Sequence, residues 1–243
     1  MNLIKLDAIE STNDFLKEMS RSQIVENFTV VIAKNQTKGK GQMGAKWEAE
    51  SGKNLIMSIL VKEVLKDIDE IFHLNVAVAL SVIKALEPLN LPKLSIKWPN
   101  DIMAENKKIG GILIENSFKS DNKIESIIGI GLNVNQINFV NLPKASSLYI
   151  LKEREFDLNE ILDKLFFQIK KQCSLLLSNQ YDFLWNEYHK NLFKLNKPIA
   201  FSDNENNQFM GIIQGVNYEG RLEILLNDGS VKTFGVKEIQ MLF

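Results

Sequence analysis

The chain has 243 residues, 45% of them hydrophobic and 24% charged, with a formal net charge of −1. That composition belongs to an ordinary folded protein and gives no overall positive field for nucleic acid or an anionic membrane, so any basic site has to be local. The single cysteine, Cys173, excludes an internal disulfide, and the two separated histidines, His73 and His189, have no ligand cluster around them for zinc.

No apolar run approaches the length of a membrane span and the N-terminus lacks a signal pattern, so a cytoplasmic protein is expected. Residues 2–9 place Leu3, Ile4, Leu6 and Ile9 at loosely alternating positions, which predicts a first strand. Ser11-Thr12-Asn13-Asp14 then offers hydroxyl and amide caps to a helix with Phe15, Leu16 and Met19 as its apolar positions. Residues 28–33 and 54–61 are apolar runs that predict buried strands.

Between those strands, residues 36–47 are Gln-Thr-Lys-Gly-Lys-Gly-Gln-Met-Gly-Ala-Lys-Trp. Gly39, Gly41 and Gly44 let backbone approach a ligand closely, Lys38, Lys40 and Lys46 add positive charge, and Trp47 adds a flat apolar surface. Amides and ammonium groups suit a phosphate or carboxylate, and an indole suits a purine; ordinary surface turns share the same composition.

Residues 68–86 carry Ile71, Leu74, Val78 and Val82 at helical spacing and end near Pro88. Strands are predicted at 94–97, 108–115 and 123–132, with short turns at Glu105-Asn106 and Ser120-Asp121-Asn122 that argue for antiparallel neighbours. Lys97-Trp98-Pro99-Asn100-Asp101 projects an amide and a carboxylate from a turn, where Asp101 could meet Mg²⁺ or a ribose; plain strand-end turns look the same. Farther on, Lys108, Gly110 and Ile112 are expected to share a face, placing Lys108 over a surface cleared by glycine, unless it is a solvated edge lysine. Gly129-Ile130-Gly131-Leu132-Asn133 lacks the third glycine and following helix of a dinucleotide fingerprint.

Residues 157–178 and 181–192 predict two amphipathic helices, with Cys173 beside Ile169 and Leu176 as a buried small hydrophobe. After Lys197-Pro198 the chain becomes short alternating runs with turns at Asp203-Asn204, Tyr218-Glu219-Gly220 and Asn227-Asp228-Gly229. The predicted layout is α+β: a mixed, largely antiparallel sheet with helices on one face over residues 1–194, then a small SH3-like β-barrel over 195–243.

Taken in order, Ser11-Thr12-Asn13, residues 36–47, 97–101, 108–115 and 129–133, and the terminal β module resemble the biotin–protein ligases over the whole chain. The resemblance implies a class II synthetase-like catalytic domain that activates biotin with Mg-ATP to biotinyl-5′-AMP. The biotin then passes to a lysine of a biotin carboxyl carrier protein domain of acetyl-CoA or a related carboxylase. It further implies Ser11, Thr12, Asn13 and Gln36 at the ureido head of biotin, with Gly39, Lys40, Gly41 and Gln42 around its carboxylate. Lys108, with Lys40, would be the catalytic cation; Lys40, Gln42, Lys46, Trp47, Asn100 and Asn133 would face ATP and the adenylate. Gly110, Gly111, Gly129 and Gly131 would line the biotin channel, and Asp101 would serve Mg²⁺.

Many members of that family carry several arginines in the glycine-rich loop, where this chain has Lys40, Gln42, Met43 and Ala45. Neutral Gln42 cannot make a bidentate phosphate contact, so Lys40 and Lys46 are expected to supply the charge. The first strand begins almost at Met1, so a monofunctional ligase without a DNA-binding domain is expected. An exposed sheet edge could pair a homodimer or dock the carrier. Lipoate–protein ligase, octanoyl transferase and a non-catalytic biotin- or carrier-binding protein are the alternatives left open.

Overall fold

The computed structural model describes residues 1–119, 123–140 and 142–243. The turn expected at Ser120-Asp121-Asn122 lies outside the described residues. The first half of the chain runs β1 (Leu3–Ile9), α1 (Thr12–Ser22), β2 (Val30–Gln36), β3 (Leu55–Lys62) and α2 (Ile71–Leu86). It continues through β4 (Leu94–Lys97), β5 (Asp101–Ala104), β6 (Lys107–Phe118) and β7 (Ile124–Leu132). Three helices follow: α3 (Leu148–Lys152), α4 (Leu158–Leu177) and α5 (Tyr181–Lys190). The chain closes with β8 (Pro198–Asp203), β9 (Gln208–Val216), β10 (Leu222–Leu226), β11 (Val231–Phe234) and β12 (Ile239–Leu242).

Seven strands form one sheet in the order β1-β2-β3-β7-β6-β5-β4. Only β1 and β2 pair in parallel, joined across α1; the other described pairs are antiparallel. A parallel pair needs a crossover element, and Ser11 starts it by capping α1 through its Oγ, which accepts from Asp14 N at 3.3 Å. The short strand β5 and the short helix α3 went unpredicted, because four or five residues carry too little periodicity to register.

Both faces of the sheet are covered near its centre, which is why β3 is apolar at nearly every position. Met57, Ile59, Ile128 and Ile130 join the large core with α2 and α4, while Leu60 and Ile127 pack with Leu16 of α1. Since neighbouring strand residues point to opposite faces, α1 lies on the face opposite α2, α4 and α5. The helical stretch Ile68–Leu89 is 22 residues long and apolar enough to cross a membrane, which corrects the expectation that no run approaches that length. Two-thirds of its apolar window is buried inside the protein, as in a core helix. Cys173 is buried on α4, and desolvation pushes its thiol up to about 12.

The last five strands form a second, antiparallel sheet in the order β11-β10-β9-β8-β12. Contacts with the residue that follows β4, with α2 and with α5 are among those that fasten it to the rest of the protein. Trp98 Nε1 donates to Gly220 O at 2.9 Å, His189 Nε2 accepts from Val216 N at 3.0 Å, and the Phe72 ring packs against Gly220. Gly220 has φ +79, and a Cβ there would collide with the Phe72 ring. Gly220→Ala is therefore expected to lower stability by about 2–3 kcal/mol, roughly 5–10 °C in the thermal midpoint. An unchanged melting curve would contradict this docking. Cys173 is expected to react with a thiol reagent only when the protein unfolds, at a rate that tracks the unfolding transition.

Candidate active site

The exposed half of the β6–β7 face opposite α2 forms the floor of a cavity of about 340 Å³. Its walls are the first turn of α1, the loop from Lys40 to Trp47, the turn before β5, and Val236-Lys237 from the second sheet. Of the expected residues, Ser11, Thr12, Asn13, Gln36, Lys40, Gly41, Gln42, Lys46 and Trp47 line it. Asn100, Asp101, Lys108, Gly111, Gly129 and Gly131 complete that set. Gly39 instead lines an adjoining cavity on the outer side of the loop, beside Leu113 and Glu115.

The floor exists because two glycines of β7 leave it open. An ideal Cβ on Gly129 would sit 2.5 Å from Asn13 Oδ1, and one on Gly131 would collide with the Trp47 indole. Asn13 and Trp47 thus lie where side chains of β7 would otherwise stand. Gly111 faces the same way, its Cβ position 3.3 Å from the indole and 3.5 Å from Lys108 Nζ.

Two further expected residues, Gly110 for the floor and Asn133 for the adenylate, lie outside this cavity. Gly110 faces the core, where its Cβ position meets Gly131 O, Leu132 and Ile102. The cause is a β-bulge: Ile102 pairs with Gly110 and Met103 with Lys108, so Ile109 is an extra residue that reverses the alternation. Lys108 therefore shares its face with Gly111 rather than with Gly110. Asn133 is buried behind the floor, its Nδ2 donating to Ser146 O at 3.0 Å, and it pins the chain entering α3.

One part of the cavity is a hydroxyl and carboxamide network. Gln36 Oε1 accepts from Thr12 N at 2.7 Å and from Thr12 Oγ1 at 3.0 Å. Ser58 Oγ lies 2.7 Å from Thr12 Oγ1 and 2.6 Å from Asn13 Oδ1. Asn13 Nδ2 donates to Glu115 Oε2 at 2.9 Å, and Lys17 pairs with Glu115 Oε1 at 3.0 Å. Neither Ser58 nor Glu115 is singled out as a site residue in the sequence: Ser58 lies in an apolar run, and Glu115 closes the 108–115 motif four residues beyond Gly111.

The other part is cationic. Lys108 Nζ pairs with Asp101 Oδ1 at 2.6 Å, Lys97 Nζ with Asp101 Oδ2 at 3.1 Å, and Lys108 Nζ lies 5.8 Å from the Trp47 ring centroid. Among the described residues, five lysines line the cavity against one carboxylate, Asp101, in a chain whose net charge is −1. Lys40 is tied to Asp14 at 2.7 Å, and that hydrogen bond raises its ammonium above the usual lysine range. Lys46 is exposed. Lys237 reaches from the second sheet to donate to Met43 O at 3.4 Å, at the left-handed apex of the loop.

The loop itself is a small hairpin: Gly41 N donates to Ala45 O at 2.7 Å and Trp47 N to Gly39 O at 3.0 Å. Trp47 Nε1 is buried and makes no hydrogen bond among the described residues. Asn100 does not offer its amide to the cavity freely, because its Nδ2 donates to Ile112 O at 2.7 Å and locks the turn onto β6.

Asp101 does not suit its expected metal role. Its two oxygens are each held by a lysine ammonium, and no cluster of three metal-ligating side chains occurs among the described residues. A divalent cation there would face two positive charges with a single carboxylate to hold it.

Residues 6–134, which contain all of the floor and most of the walls, match the model of the biotin/lipoate A/B protein ligase family. The chain belongs to that family. It is 28% identical over 240 residues to the bifunctional ligase/repressor BirA of Bacillus subtilis (strain 168), covering 96% of this chain and 72% of that protein. It is also 28% identical over 215 residues to the biotin–[acetyl-CoA-carboxylase] ligase of Mycobacterium tuberculosis, covering 87% of this chain and 79% of that one. Among solved structures, the biotin protein ligase from Aquifex aeolicus in complex with biotin and ATP superposes with a TM-score of 0.81 at 28% identity, over 99% of this chain and 98% of the other. The fold agreement extends through the second sheet, since nearly the whole of both chains is aligned.

The contact between Gly131 and Trp47 gives a direct check of this ligase-family floor. Gly131→Ala is expected to displace the indole, altering the near-ultraviolet circular dichroism of tryptophan at a stability cost of about 1–3 kcal/mol. An unchanged tryptophan signal would show that Trp47 does not rest on β7.

Proposed function

We propose that this member of the family is a biotin–protein ligase, which joins biotin to ATP as biotinyl-5′-AMP and then to a lysine of a carrier domain. The observation that carries the reading is the pairing of a neutral hydrogen-bonding network with a lysine-rich region over one glycine floor. Asn13 stands over Gly129 and Lys108 over Gly111, which pairs with Gly131. Two residues along β7 separate these levels, about 7 Å at the usual strand rise.

A ureido group has one carbonyl acceptor and two N–H donors, and Ser11, Thr12, Asn13 and Gln36 supply matching hydroxyls and carboxamides. The dithiolane of lipoate has no comparable groups and would leave this network facing sulfur. That contrast favours biotin over the lipoate and octanoyl alternatives within the family. It would be reversed by ATP–pyrophosphate exchange that depends on lipoate and not on biotin.

Formation of the adenylate brings a carboxylate oxygen onto the α-phosphorus of ATP while the bond to the β-phosphate oxygen breaks and pyrophosphate leaves. Two anions must approach each other, so fixed cations dominate the chemistry. Lys108, held by Asp101 and set beside Trp47, is the residue we assign to the carboxylate and α-phosphate. Lys97, on the other oxygen of Asp101, and Lys40 and Lys237 near the loop add positive field. The Nε1 of Trp47 is buried against β7 and has no hydrogen-bond partner among the described residues. In the second step the acceptor lysine, as the free amine, attacks the acyl carbon, and AMP departs with the bonding pair. We assign no metal ligand to this chain; Mg²⁺ would accompany the nucleotide.

The proposal extends to a carboxylase carrier domain as acceptor, to residues 195–243 as a C-terminal β domain that supplies Val236 and Lys237, and to a cytoplasmic site of action without a role on DNA. Lys108→Ala is expected to lower biotin-dependent ATP–pyrophosphate exchange by about 100- to 1000-fold while the melting temperature is kept. Exchange at the wild-type rate would remove Lys108 from its assigned role. Lys46→Ala, at an exposed loop position, is expected to raise the release rate of the adenylate by about tenfold if Lys46 offsets neutral Gln42. An unaltered release rate would leave that compensation to Lys40 and Lys237.

A further inference from the structure

We infer that Glu115 is a positioning residue for biotin recognition, fixing which end of the Asn13 carboxamide is offered to the ligand; the inference rests on the ligase reading of the cavity. Glu115 lines the adjoining cavity on the outer side of the loop and does not line the one that holds Asn13, Lys108 and Trp47. It acts through its neighbour.

A carboxylate accepts hydrogen bonds and donates none, so the Asn13 atom 2.9 Å from Glu115 Oε2 has to be the Nδ2 amino group. Its Oδ1 is thereby turned to the opposite side, 2.5 Å from where a Cβ of Gly129 would stand and 2.6 Å from Ser58 Oγ. The cavity therefore meets an acceptor at this point, suited to a ligand N–H. Lys17 holds the other oxygen of Glu115 at 3.0 Å, so the carboxylate is fixed from both ends.

Ser58 alone could not set this orientation. Its single hydroxyl lies within hydrogen-bond reach of both Thr12 Oγ1 and Asn13 Oδ1, and a hydroxyl can face an amide as donor or as acceptor. Without the carboxylate, the carboxamide could rotate by half a turn and remain satisfied against Ser58. It would then present an amino group to a ureido N–H, donor against donor.

Two variants test this. Glu115→Gln keeps the size of the side chain but can donate as well as accept, so it permits both orientations of Asn13. Combining Glu115→Gln with Asn13→Asp restores a one-way arrangement, because the amide at 115 can donate to one oxygen at 13 while the other oxygen still faces Gly129. Biotin affinity by calorimetry, and biotin- and ATP-dependent pyrophosphate exchange, would be measured for both alongside the wild type. Glu115→Gln is expected to weaken biotin binding about tenfold, with the KM for ATP and kcat at saturating biotin within about twofold of wild type. The double variant is expected to recover most of the lost affinity.

Unchanged biotin affinity in Glu115→Gln, or a double variant no better than the single one, would overturn the inference. A parallel rise in both KM values with a lowered melting temperature would also overturn it, by showing a purely structural role. A wild type that shows no biotin-dependent exchange would instead overturn the ligase reading itself.

Discussion

The site depends on clearance along one face of β7. Gly129 and Gly131 leave room into which Asn13 and Trp47 fold, and those two side chains then define the two regions of the cavity. Asn13 belongs to the capped first turn of α1, and Trp47 to the hairpin that follows β2. Packing alone would favour larger residues on a central strand buried between neighbours, since glycine weakens a strand and packs poorly. Their presence at alternate positions is explained by what lies over them.

Charge is arranged around the same floor with similar economy. The Lys97–Asp101–Lys108 triad keeps two ammonium groups close together by placing one carboxylate between them. Mutual repulsion of the lysines is reduced, and a net positive charge remains for an incoming anion. The turn that carries Asp101 is locked in two directions: Asn75 donates to Pro99 O at 2.9 Å from α2, and Asn100 to Ile112 O at 2.7 Å on β6. Trp98, just before this turn in the chain, anchors the second sheet through Gly220. The position of Lys237 beside the loop therefore depends on the same turn that positions the triad.

Much of this was legible in the sequence. The long strands and helices follow from apolar periodicity, and the change to short alternating runs after Pro198 marks the second sheet. The motifs gathered most of the cavity because glycine, lysine and asparagine are conspicuous in otherwise apolar strands. The failures are also physical. A single bulged residue, Ile109, reverses the face of Gly110, and no pattern of two can reveal it beforehand. Asn133 has the chemistry of a ligand contact but is used to satisfy the carbonyl of Ser146. Ser58, Glu115 and Lys237 join the site through contacts spanning dozens of residues, which local composition does not encode.

The most direct measurement is the identity of the small molecule that the purified protein retains after incubation with biotin, lipoate and Mg-ATP together, read by native mass spectrometry. Retained biotinyl-5′-AMP is the result expected of this cavity, with its ureido-matching network and its lysines over one glycine floor. Retention of lipoyl-AMP, or biotin held without any adenylate, would contradict it.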